Sequence, residues 1–151
     1  MKKIIMVLFA IGLFTSCSSQ KQLNAFGKSS EITEITILDY IPLHQSYLPD
    51  PIGTINNDVE ISELTSIINR SRRTNRKREA FELMGGPETF TYEIRFNGKS
   101  LNVSQIYILI DGENIYISSI ELFNQDKSEY DLYLIRENDI NVFLDKLGIS
   151  N

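Results

Sequence analysis

Few residues in this 151-residue chain could carry chemistry. Cys17 is the only cysteine and His44 the only histidine. A Ser-His-Asp or Cys-His site would have to use His44, which stands in a proline-flanked stretch, and no Gly-x-Ser-x-Gly elbow is present. Zinc sites draw on several His and Cys. The acidic stretches at 111–113 and 137–139 lack the spacing of a calcium loop and fit a hairpin turn and a helix cap instead. Gly85-Gly86-Pro87 is punctuation rather than a phosphate cradle. Paired carboxylates can hydrolyse glycosides, but twenty acidic residues guarantee chance pairs. The sequence therefore predicts no catalytic residue, no metal and no cofactor, and reads as that of a non-enzyme.

Cys17 has a more specific context. Met1-Lys2-Lys3 is followed by an apolar run over residues 4–14, then Thr15-Ser16-Cys17-Ser18-Ser19. As a helix the run would rise only ~16 Å at 1.5 Å per residue, against a hydrocarbon core of ~30 Å. Two lysines, a short apolar stretch and small residues make a secretory signal. The small residues directly before the cysteine resemble the lipobox of bacterial lipoproteins. Phe14 stands three residues before Cys17, where the common pattern has Leu. The resemblance implies cleavage after Ser16, acylation of Cys17 and a membrane anchor. No Asp follows Cys17, which under the family's sorting rule favours the outer membrane, on its periplasmic or surface side. Residues 1–16 are then a signal peptide, 17–30 a lipidated cysteine with a flexible tether, and 31–151 one domain.

The third feature is charge. Arg70, Arg72, Arg73, Arg76, Lys77 and Arg78 place six cations within nine positions. Removing residues 1–16 takes away Lys2 and Lys3 and leaves 13 basic against 20 acidic residues, net −7. Outside the run the mature chain holds seven basic and 20 acidic residues, net −13. Cations at a helix end are favoured by its dipole at ~0.3–1 kcal/mol each, and six exceed what one end needs. The run is a solvated surface, a dock for an acidic protein, or a site for anionic membrane components. Nucleic acid is not expected, because the mature chain is acidic and no stacking aromatics interleave the run. Glu79 and Glu82 are its near acidic neighbours, so several of the six cations are expected to be exposed and without a carboxylate.

The elements that would position these groups follow from periodicity. Residues 32–41 read as a strand and 42–57 as a proline-rich loop. Asn57 or Asp58 caps a helix with Ile61, Leu64, Ile67 and Ile68 at helical spacing, fraying within 70–74. Phe90, Tyr92, Ile94 and Phe96 alternate with polar residues. Asn97-Gly98 and Asp111-Gly112 are hairpin signals, followed by strands over 101–110, 115–123 and 130–135. Asn138 or Asp139 caps a last helix carrying Ile140, Phe143, Leu144 and Leu147, stopped by Gly148. The architecture predicted is α+β: an antiparallel meander of four to five strands with two helices, in the order β-α-β-β-β-β-α.

A turn at Asn97-Gly98 sets Ile94 opposite Leu101 and Tyr92 opposite Val103. A turn at Asp111-Gly112 sets Ile108 opposite Ile115. Tyr92, Ile94, Leu101, Val103, Ile120 and Leu122 then share one face, and Ile106, Ile108, Ile110, Ile115 and Ile117 the other. Such a sheet needs cover on both faces or a phase-flipping bulge, unless the isoleucines form a partner patch.

The function expected is an envelope-anchored, non-catalytic interaction module, by analogy with small acidic immunity or inhibitor proteins. The alternative is a periplasmic ligand-binding or hydrolytic protein with a pocket. Replacing Cys17 by Ser is expected to leave an unacylated precursor that is not cleaved after Ser16. Mass spectrometry of the mature N-terminus checks this, and an unmodified thiol in the wild type contradicts it.

Overall fold

Alternating Ile, Tyr and Phe residues enter one antiparallel sheet. This computed structural model describes residues 22–27, 30–40, 49–79, 90–119, 121, 123–124 and 129–149. The elements are β1 (Glu31–Asp39), β2 (Pro51–Ile55), α1 (Asp58–Arg70), β3 (Arg72–Glu79), β4 (Tyr92–Lys99), β5 (Gln105–Asp111), β6 (Asn114–Ser118), β7 (Phe123–Asn124), β8 (Glu129–Leu134) and α2 (Glu137–Lys146). Their order across the sheet is β2-β1-β4-β5-β6-β8-β3, with the two-residue β7 beside β8. The class is α+β, as expected. The expected meander is its centre, β4-β5-β6-β8.

The expected count of four to five strands is too low, because two edge strands carry no strand pattern of their own. β2 lies in the stretch read as a loop. Its Pro51 opens an edge strand, where a missing N–H is tolerated, and Ile55 pairs with Ile35 of β1. β3 is the basic run itself, held by β8.

The register of the first hairpin also differs. Ile94 pairs with Ile106 rather than Leu101, and Tyr92 with Ile108 rather than Val103. The displacement is an odd number of residues, which turns every side chain of the partner strand to the other face. Ile94, Phe96, Ile106, Ile108, Ile115 and Ile117 therefore share one face. Ile61, Leu64, Ile67 and Ile68 of α1 and Phe143 of α2 pack against it. These isoleucines are buried and form no partner patch. The opposite face carries a smaller cluster of Phe90, Leu109 and Leu132 with Tyr40, Tyr107 and Tyr116 at its margin. Phe90 stacks on Tyr107 with ring centroids 5.4 Å apart.

Asn97-Gly98 is not the turn, because both residues remain in β4 and pair with β1. A Cβ on Gly98 would overlap the Glu31 carbonyl oxygen. This glycine serves close strand approach, and the chain turns over 100–104, where Ser100 takes φ +54°. Glu121 holds that turn. It accepts from the Ser104 amide at 3.0 Å, the Ser104 hydroxyl at 2.9 Å and the Ser119 hydroxyl. The second hairpin turns one residue later than expected, at Gly112-Glu113, with Asp111 opposite Asn114 and Ile110 opposite Ile115. Gly112 has φ +61° while Glu113 does not go positive, the pattern of a type II′ turn.

Asn57 caps α1, accepting from the amides of Val59 at 2.9 Å and Glu60 at 3.3 Å. The expected cap of α2 by Asn138 or Asp139 is not formed. The helix starts earlier, with Arg136 at the N-cap and no side-chain cap bond. Its end has the expected stop: Gly148 at φ +69° donates to Asp145 O, and Ile149 to Leu144 O. That pair of bonds is a Schellman motif.

Two outcomes are expected. Gly98→Ala should lower stability by about 1–3 kcal/mol, as overpacking does, because backbone must move to admit the methyl. An unchanged urea midpoint counts against the close-approach role. For Glu121, burial alone would raise the carboxyl pKa, but hydrogen bonds from Ser119 and Ser104 outweigh it and hold the group below the usual carboxylate range. Its contribution is present at neutral pH and is lost as pH falls from ~4 through the lower folded value. Glu121→Gln should flatten that acid limb of the urea midpoint against pH. An identical limb in the variant assigns the acid sensitivity elsewhere.

Candidate functional site

The basic run enters the fold at a junction one residue long. α1 ends at Arg70, and buried Ser71 turns its hydroxyl and amide onto Ile68 O at 2.6 and 3.1 Å. The chain then passes directly into β3. A helix frayed over 70–74 was expected, but only Arg70 belongs to the helix end. In the β3–β8 ladder Arg72 stands opposite Leu134, Arg73 opposite Tyr133, Lys77 opposite Asp131 and Arg78 opposite Tyr130. The register shifts between Arg73 and Lys77, and Arg76 lies within that shift. Thr74 ties it by donating to Leu132 O at 3.0 Å.

Two cations of the run, Arg70 and Arg73, find acids from distant parts of the chain, whereas several of the six were expected to have no carboxylate. Asp139 of α2 accepts from Arg70 at 3.1 Å, and Ser66 holds the same guanidinium at 2.8 Å. Asp131 of β8 meets Arg73 at 2.6 Å, and that hydrogen bond and charge raise the Arg73 pKa further. Arg72 is exposed and has no carboxylate partner among the described residues. A seventh cation joins them. Arg136, the N-cap of α2, donates through Nε to Arg70 O at 3.0 Å. No sequence signal singled it out, because it stands alone in the chain and reaches the run only through the β8–α2 corner.

Of these cations Arg72, Arg73 and Arg136 line an open groove of about 570 Å³, and Arg70 lies outside its lining. β3 supplies Arg72, Arg73, Thr74 and Asn75. The end of β8 and the start of α2 supply Arg136, Glu137 and Asn138. Its donors are only partly used. Arg73 engages Asp131 through Nη2 alone. Arg136 uses Nε, and no described residue accepts from its terminal nitrogens. The first-turn amides of α2 lack a side-chain cap, and the helix dipole adds positive potential there. Exposed Glu137 is the one acid in the lining. The Asp139 amide is taken by Arg136 O at 2.8 Å, and the guanidinium forks with the earlier helix-start amides form a set of donors suited to phosphate or carboxylate oxygens.

The segment leading into the domain is docked against the same corner. Gln22 bridges to Arg72 in antiparallel fashion. The Leu23 amide donates to Ser71 O at 3.2 Å, and Asn24 to Asn69 O at 3.4 Å. The Asn69 side chain closes a two-way pair with the Phe26 backbone, both bonds 2.9 Å. Ala25 and Phe26 are core residues, and Phe26 meets Phe96 with ring centroids 4.6 Å apart. The tether read over 17–30 is therefore corrected for residues 22–27, which belong to the domain. Ala25-Phe26, an apolar pair in a polar stretch, was the available signal.

Cys17, His44 and Gly85-Gly86-Pro87 lie outside the described residues. Among the described residues no helix is long and apolar enough to cross a membrane, and no group of three or more His, Cys, Asp or Glu is arranged to hold a metal ion. No family model, curated protein or solved structure matches the chain.

Proposed function

We propose that this chain is a lipoprotein of the bacterial envelope, anchored through Cys17, whose domain is a non-catalytic docking module for anionic groups. The observation that carries the reading is the arginine groove. Arg72, Arg73 and Arg136 converge there with donors unspent, on a chain whose net charge is −5. A bland solvated run would spread its cations along an edge. Here a cation from a distant part of the chain joins the run. The groove is open rather than enclosed, which favours a docking face over a ligand pocket.

Phosphocellulose is a suitable probe, since an acidic protein is retained on it only through a segregated basic face. The wild type should be retained at low salt and released as salt rises. Arg72→Gln/Arg73→Gln/Arg136→Gln should elute at clearly lower salt. It should keep its circular dichroism and lose no more than about 1–2 kcal/mol, because exposed pairs contribute little. Co-elution of a folded variant with the wild type overturns the groove as the binding face.

A further inference from the structure

We propose that the arginine groove docks on anionic phospholipid head groups of the leaflet that holds the protein's own anchor, with the docked segment 22–27 keeping it there. This rests on the reading of Cys17 as the acylated residue.

The length of free chain after Cys17 limits how far the domain can stand from the membrane. A free tether up to residue 31 would let the domain move ~48 Å from Cys17, at 3.3–3.6 Å per residue. The chain is instead fastened at Gln22, five residues after Cys17. Five residues span at most ~17 Å. Gln22 bridges to Arg72, so the groove begins one strand spacing away, ~4.8 Å. The fastening does not depend on that bridge alone. Asn69 holds Phe26 from both sides and Phe26 is buried in the core. The start of the groove is thus held within about 22 Å of Cys17, which brings contact with the bilayer surface, and the ~8 Å layer where head-group charge is felt at physiological salt, within reach.

Charge then selects the orientation. Outside the run the mature chain carries 20 acidic and seven basic residues. Turning the surface outside the run to an anionic leaflet therefore brings, on average, net negative charge against it. Phosphodiester oxygens match the forked donors of Arg72 and Arg136. Three arginines free in solution would favour such a surface only on the order of a hundredfold. The anchor makes the contact intramolecular, so this weak preference suffices to keep the groove engaged.

The test uses the full-length acylated protein in vesicles of phosphatidylcholine alone or with phosphatidylglycerol. A fluorophore is placed at Asn75→Cys on the groove rim, with an energy-transfer acceptor on the lipid head groups. Transfer should rise with phosphatidylglycerol and fall with salt. It should drop to the neutral-vesicle level in Arg72→Gln/Arg73→Gln/Arg136→Gln. A ten-residue Gly-Ser insertion after Lys21, outside the docked segment, should lower the effective concentration about fivefold by the −3/2 power of tether length and reduce transfer accordingly. Equal transfer in both vesicle types overturns the proposal. So does transfer that ignores the insertion. Salt-sensitive capture of an acidic protein without any phosphatidylglycerol effect also overturns it, while leaving the docking module standing. An unacylated Cys17 overturns the anchor on which both rest.

Discussion

The antiparallel pairing of β3 with β8 sets most of what is distinctive in this molecule. A strand made of arginine, lysine and polar residues has no apolar face to bury. What holds it is backbone hydrogen bonding to a neighbour that is already fixed in the sheet. β8 is such a neighbour. Leu132 and Tyr133 are buried on its two faces, and Ile135 donates its amide to Ile115 O beyond the strand's end. Once β3 is laid along β8, Arg73 meets Asp131 and Arg72 comes to lie near Arg136 at the head of α2.

The same pairing answers the hazard of an open sheet edge. An unpaired strand invites another chain to add to it, and charged side chains along the edge resist that addition. The five cations in the sequence of β3 suit it to such an edge, since a second copy would bring like charge against them. β2 closes the other edge by different means, being short and opened by a proline. Edge protection alone would not require Arg136, and it would not leave the helix-start amides of α2 uncapped.

The docked segment 22–27 gives the corner a second role. It covers the start of β3 through Gln22, follows Ser71 and Asn69, and ends with Phe26 in the core. Whatever force acts on the chain before Gln22 is delivered at the α1–β3 junction, beside the groove. Where the chain enters the domain is thereby a property of the fold.

Helices and central strands were legible in the sequence because each carries its own period. Ile61, Leu64, Ile67 and Ile68 specify α1 without reference to anything else, as Phe143, Leu144 and Gly148 specify α2 and its end. Alternation over residues 90–96 specifies β4. The charge segregation is also a property of the sequence alone. Three matters were decided by tertiary structure. Local turn preference at Asn97-Gly98 yielded to β1, which needs Gly98 for close approach, and Glu121 fixed the turn farther on. The run 70–78 has no periodicity, so its state follows from β8, distant in the chain. Arg136 is an isolated arginine until the β8–α2 corner brings it to Arg70 O. Periodicity reports what a segment can bury by itself. A strand held by its neighbour's backbone, and a groove assembled from two distant segments of the chain, exist only once the neighbour is in place.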